Sequence, residues 1–138
     1  MNTTAISNLL RVLETKEADG SATLTGTNKS KAIEKLIEKL TETKSTDDLS
    51  GAHNYFIRAC DMCNIDGSKI ITDTDRESLI TSHVTLLSGS WANADSHISA
   101  VLDMLQRNDT ISPSTVKTIS GNNREALKNK LIELITSL

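Results

Sequence analysis

The chain is poor in aromatic residues: Tyr55, Phe56 and Trp91 are its only three among 138 residues. A hydrophobic core must then be aliphatic, built from Leu, Ile, Val and Ala. Proline occurs once, at Pro113, and glycine six times. No apolar run approaches the roughly 20 residues that a bilayer span requires. The opening Met1-Asn2-Thr3-Thr4-Ala5-Ile6 has neither the basic start nor the apolar stretch of a secretory signal. The Asn-x-Ser/Thr sequons at Asn2, Asn28 and Asn108 therefore carry little meaning. Two cysteines, three residues apart, do not make a disulfide framework. No low-complexity tract is long enough to read as disordered. What is abundant is small and polar: 17 Thr, 16 Ser and 10 Asn. A length of 138 residues supports one domain with a real core.

The net charge of −3 argues against a general nucleic-acid binder, which neutralises phosphates with Lys and Arg. Residues 47–109 carry a balance of −6, and the two flanks together +3. An acidic middle between mildly basic ends suits contact with another protein, but the simpler expectation is a solvated surface.

Helical spacing dominates the chain. Ile6, Leu9, Leu10 and Leu13 form a first stripe that Asp19-Gly20 ends. Ala32, Ile33, Leu36, Ile37 and Leu40 form a second, opened by Asn28 or Ser30 as a cap. Ala52, Tyr55, Phe56, Ala59, Cys60 and Cys63 form a third, opened by Asp48 or Ser50. Thr74-Asp75-Arg76-Glu77 reads as a capping box before Leu79, Ile80, Leu86 and Leu87. Gly89 closes that helix. Ala94, Ile98, Val101, Leu102 and Leu105 mark the fifth. Ser112-Pro113 places proline in a first helical turn, with a short helix to about Ile119. Asn122 or Asn123 caps a last helix on Leu127, Leu131, Leu134, Ile135 and Leu138.

An internal repeat is visible at a shift of 47 residues. Asp19-Gly20-Ser21 through Lys29 matches Asp66-Gly67-Ser68 through Arg76 at the Asp, Gly, Ser, an apolar position, two threonines and a base. Asp109 through Ser114 is a looser third echo. Leu24, Ile71 and Ile111 read as loop anchors dipping into the core, or as steps of very short paired strands. The expected fold is an all-α bundle of six to seven helices in about three helix–loop–helix hairpins. It forms a single domain over 1–138, with hairpins at 1–45 and 50–88, then 92–138 as the third hairpin plus the C-terminal helix.

Helix–loop–helix units with Asp-Gly loops resemble EF-hands. A calcium loop needs oxygen ligands at positions 1, 3, 5 and 12 and glycine at 6. With Gly67 at position 6, Asn64 and Asp66 fit, but Met62 falls at position 1 and Lys69 at the apolar position 8. With Gly20 there, Thr15 falls at position 1 and Gly26 at 12. Tight calcium binding is not expected. Cys60-Asp61-Met62-Cys63 is a C-x-x-C with His53 on the same helical side; zinc would also need His83 and His97 brought in by the fold. Both thiols sit near a helix C-terminus, the wrong end for a lowered thiol pKa. The simpler expectation is two small core residues. Asp95-Ser96-His97 has triad residue types, but neighbours on one helix diverge. No phosphate-binding, nucleophile-elbow or HExxH motif is present, so no catalytic residue, metal ligand or cofactor is expected.

The two most amphipathic segments run from Lys29 to Lys44 and from Arg124 to Leu138. Each pairs an apolar stripe with a mixed-charge face, the pattern of a packed bundle helix or of a partner-binding one. The candidate partner-binding residues are Lys31, Lys35 and Ile37 on the first, Lys128 and Leu131 on the second, and Trp91. Trp91 is also a candidate core anchor. The expected function is a non-enzymatic protein–protein interaction module whose partner is another protein or a second copy. No nucleic acid and no stable membrane insertion are expected. The alternatives are an ion-binding regulator using the Asp-Gly loops or His53, Cys60 and Cys63, and an enzyme whose site is assembled in space.

The opening residues, with Asn, Thr, Ser and Ile and no early charge, are similar to the polar leaders of bacterial type III secretion substrates. That resemblance covers about ten residues. It implies a small virulence effector or secretion component, cytoplasmic in the producing cell and exported without a signal peptide. The same composition is compatible with a phage or viral accessory protein.

Overall fold

The computed structural model describes residues 1–107 and 121–138. Six α-helices form there, with no extended strand among the described residues: α1 (Thr3–Glu14), α2 (Gly26–Thr41), α3 (Leu49–Asp61), α4 (Asp73–Leu87), α5 (Ala94–Gln106) and α6 (Gly121–Thr136). The expected all-α class and helical hairpins are what the chain adopts. The third loop anchor, Ile111, and the short helix after Pro113 lie outside the described residues.

α1 packs on α2, and α3 on α4. α3 also touches α1, α2 and α5, and α4 touches α2, α5 and α6, so the second hairpin is central. The helices share one core, with Ile6, Leu10, Leu36, Phe56, Leu87 and Met104 fully enclosed. Each such side chain contributes about 1.5–3 kcal/mol by leaving water. Three helices start on side-chain caps. Asn2 accepts from the Ala5 N–H, Asp48 from those of Ser50 and Gly51, and Asn93 from that of Ser96.

The 47-residue repeat is real and extends to the backbone. Lys16 pairs with Ala22 as Cys63 pairs with Lys69, both antiparallel. The N–H groups of Glu17 and Asn64 donate to Ser21 and Ser68 carbonyls, each at 2.7 Å. Asp19 accepts from the Ser21 N–H at 2.9 Å, and Asp66 from that of Ser68 at 2.9 Å. Gly20 and Gly67 have φ of 89° and 86°, a left-handed turn that glycine adopts without strain. The loop anchors also hold: Ile71 is buried, and Leu24 packs half-buried against the core.

Several expected helix ends move. α1 stops at Glu14, not at Asp19-Gly20, because Lys16 already belongs to the bridge. α2 and α4 follow Thr25 and Thr72, whose side chains make no cap bond, and enter through left-handed residues, Gly26 (φ 56°) and Asp73 (φ 52°). Asn28, Ser30 and the capping box from Thr74 to Glu77 therefore lie inside the helices. Asn122 and Asn123 also lie inside α6, where the Asn123 amide donates to the Thr81 hydroxyl.

Candidate functional site

The repeat sets a frame for reading the helices. A shift of 47 places His53 on the position of Ile6 and His83 on that of Leu36. Ile6 and Leu36 are completely buried, while His53 and His83 are 7% and 6% exposed. The frame thus accepts aliphatic side chains where the second hairpin carries a pair of imidazoles.

Those imidazoles join a chain of hydrogen bonds across three helices. His83 Nε2 on α4 lies 2.9 Å from His53 Nδ1 on α3. His53 Nε2 lies 2.6 Å from Asp103 Oδ2 on α5. Arg107 Nε donates to both Asp103 oxygens, at 2.8 and 3.0 Å, and its Nη1 lies 3.5 Å from Asp61. Phe56 stacks on His83 with centroids 4.0 Å apart and planes 8° apart. Burial lowers the pKa of His53, partly opposed by Asp103. Burial and the neighbouring His53 hold His83 well below its ordinary value. For Asp103, burial alone would raise the pKa, but bonds from His53 and Arg107 bring it below the usual carboxylate value.

At neutral pH both rings are therefore uncharged, and the geometry fixes the tautomers. His53 carries its proton on Nε2, donating to the Asp103 carboxylate, so its Nδ1 accepts. His83 must then carry its proton on Nε2, which leaves Nδ1 as a free acceptor.

The chain ends in two cavities. His53, Asp103 and Arg107 border an open polar cleft of about 550 Å³ between α3 and α5, with Ser50, Asp95 and Ser99. His83 borders a smaller pocket of about 160 Å³ between α2, α3 and α4.

Two more buried polar groups belong to the second hairpin. Arg76 is fully buried, and its Nη1 donates to the Cys60 carbonyl at 2.9 Å and the Ile71 carbonyl at 3.3 Å. Its Nε and Nη2 have no hydrogen-bond partner among the described residues. The guanidinium thus sits against the carbonyl end of α3, where the helix dipole is negative. Burial pushes the Cys60 thiol up to about 12, so it is an inert core group. His97 bonds the Leu87 carbonyl through Nε2 at 2.6 Å and ties α5 to the end of α4.

The residues singled out for partner binding fall in separate places. Lys31 and Lys35 are exposed on α2, with Lys35 paired to Glu38, and Ile37 packs half-buried against the core. Lys128 is exposed on α6 beside Glu125, and Leu131 packs half-buried. α2 and α6 do not touch, so these residues do not form one surface. Trp91 packs half-buried and donates from Nε1 to the Leu86 carbonyl at 3.0 Å, as a core anchor does.

The expected pair of core thiols needs correction: Cys60 is buried, but Cys63 lies past the end of α3 in the bridged loop and is exposed. His53 turns to His83 and Asp103 instead of toward the cysteines. Among the described residues, no group of three or more His, Cys, Asp or Glu side chains is placed to hold a metal. The Asp19 and Asp66 carboxylates turn onto Ser21 and Ser68, whose hydroxyl bonds lower both pKa values. No family model, curated protein or solved structure matches the chain.

Proposed function

We propose that the chain is a non-enzymatic protein-interaction module that docks its partner on the outward face of α6. One observation carries this reading. Ile132 and Ile135, at i and i+3 on α6, and Leu138, two residues past its end, are 61%, 54% and 78% exposed. The inner face of α6 is already packed through Leu127, Leu131 and Leu134. A cluster of exposed large aliphatics beside a satisfied core face is the mark of a protein-binding surface. Lys128 precedes Ile132 by one turn and supplies charge at the rim. Lys31, Lys35 and Ile37 occupy a different helix and stand outside this reading.

The non-enzymatic part is supported by the partners of His53, which are Asp103 and His83 and not a hydroxyl or thiol nucleophile. The ion-binding alternative has less support, because Asp19 and Asp66 are committed to their own loops. The finer readings, a secreted effector or a phage or viral accessory protein, rest on the N-terminal resemblance. Those residues also cap and begin α1, with Ile6 in the core.

A photo-crosslinking residue at position 132, compared with one at position 35, tests the surface in cells that make the protein. A discrete protein adduct from 132 and none from 35 is expected, with its capture abolished by I132E/I135E at unchanged melting temperature. No adduct at 132, or the same adduct from 35, contradicts the reading.

A further inference from the structure

The 160 Å³ pocket between α2, α3 and α4 has a size, a mixed lining and a histidine with an unmatched ring nitrogen that together describe an occupant. A dry cavity of about 150 Å³ is known to admit a benzene-sized molecule. Half of the lining of this partly open pocket is apolar, formed by Leu40, Ala52, Leu79 and Leu86 with the Phe56 ring, and half is polar. Three of its four hydroxyls, on Thr41, Thr43 and Thr85, already donate to backbone carbonyls at 2.8–2.9 Å, and the fourth, on Ser82, makes no hydrogen bond among the described residues. His83 is different. Its Nε2 is taken by His53, and its Nδ1 has no hydrogen-bond partner among the described residues. The chain from Asp103 through His53 fixes that nitrogen as an acceptor and polarises it.

We infer that this pocket binds a small neutral molecule with an apolar body and a single hydroxyl or N–H donor, received by Nδ1 of His83. The body fills the space against Leu79 and Ala52, and the donor supplies the hydrogen bond that Nδ1 of His83 leaves unmade. A charged ligand does not suit the site, because the pocket offers no counter-charge: Asp103 and Arg107 belong to the opposite end of the chain, in the polar cleft. The first hairpin carries Leu36 at the position of His83, so its fold supplies no such acceptor.

Phenol and toluene, equal in shape and differing in the donor, are the probes, titrated into the full chain at pH 7.5 by calorimetry. Phenol is expected to bind about tenfold more tightly, the worth of one hydrogen bond of about 1.4 kcal/mol. The ¹⁵N resonance of His83 Nδ1 is expected to shift with phenol and not with toluene. In H83L the preference for phenol should vanish, and in A52L, with the histidines intact and the space filled, neither probe should bind. Equal binding of the two probes, phenol preference surviving H83L, or no binding by the unaltered chain overturns the inference. The wild-type titration and the ¹⁵N shift decide the matter even if H83L does not fold.

Discussion

In the first hairpin, residues 3–41, the inward positions hold Ile6, Leu13 and Leu36, and the base at the start of the second helix is Lys29. In the second, residues 49–87, the same positions hold His53, Cys60, His83 and Arg76. The loop backbones agree bond for bond, yet at the matched core positions one hairpin buries hydrocarbon and the other two imidazoles and a thiol, with a buried guanidinium beside them. Backbone frame and side-chain content are therefore separable here. The glycines, the Asx turns and the left-handed helix entries make the frame, and the core positions accept either chemistry. The central hairpin, which contacts every other described helix, carries three of the five buried polar residues among those described. That position lets His53 and His83 reach Asp103 on α5.

The largest difference is expected at the paired bases. Arg76→Ala removes the donor from two buried carbonyls and opens a cavity, and should cost about 3–4 kcal/mol in urea denaturation. Lys29→Ala removes a part-buried bond to Asn64 and should cost under about 1 kcal/mol. Arg76→Met, which keeps volume and discards the buried charge, should recover most of the loss. Equal costs at 29 and 76 would break the contrast between the hairpins.

The shared frame makes a smaller, symmetric prediction. Gly20→Ala and Gly67→Ala should each cost about 1–2 kcal/mol, because both turns are left-handed and neither added methyl group is crowded. A cost at one site alone would show that only one loop holds its turn. The smallest effect is expected at the helix entries. Asp73→Gly should raise stability by about 0.5 kcal/mol, and Gly26→Asp should lower it by a similar amount, read as midpoint shifts at constant slope.

Much of the fold was legible in the sequence. The stripes of Ile6-Leu9-Leu10-Leu13 and Ala32-Leu36-Leu40 place their helices, and the Asp-Gly-Ser match at a shift of 47 places both loops. The helix starts were not legible at Thr25 and Thr72, because a left-handed entry moves the boundary away from the Asn28, Ser30 and Thr74 hydroxyl pattern. The histidine chain was missed, although its signal was present. Carried beyond the loops, the same shift sets His53 on Ile6 and His83 on Leu36, polar residues at core positions. Asp103 in α5 and Arg107 at its C-cap have no counterpart in either hairpin, and only the packing of α5 on α3 brings them in.

The histidine pair is chemistry set on a frame that does not need it. Stability measured by urea denaturation from pH 8 to pH 5, for the natural chain and for H53I/H83L, tests it most directly. Burial holds both folded histidine pKa values below 6.5, so the unfolded chain takes up protons first as the pH falls. The natural chain should keep its full stability above pH 6.5 and lose it progressively below. The variant, carrying the first hairpin's residues, should fold with the same helical signal, match or exceed the natural stability at pH 7.5, and lose most of that acid slope. A variant that fails to fold, or that keeps the slope unchanged, would contradict the claim.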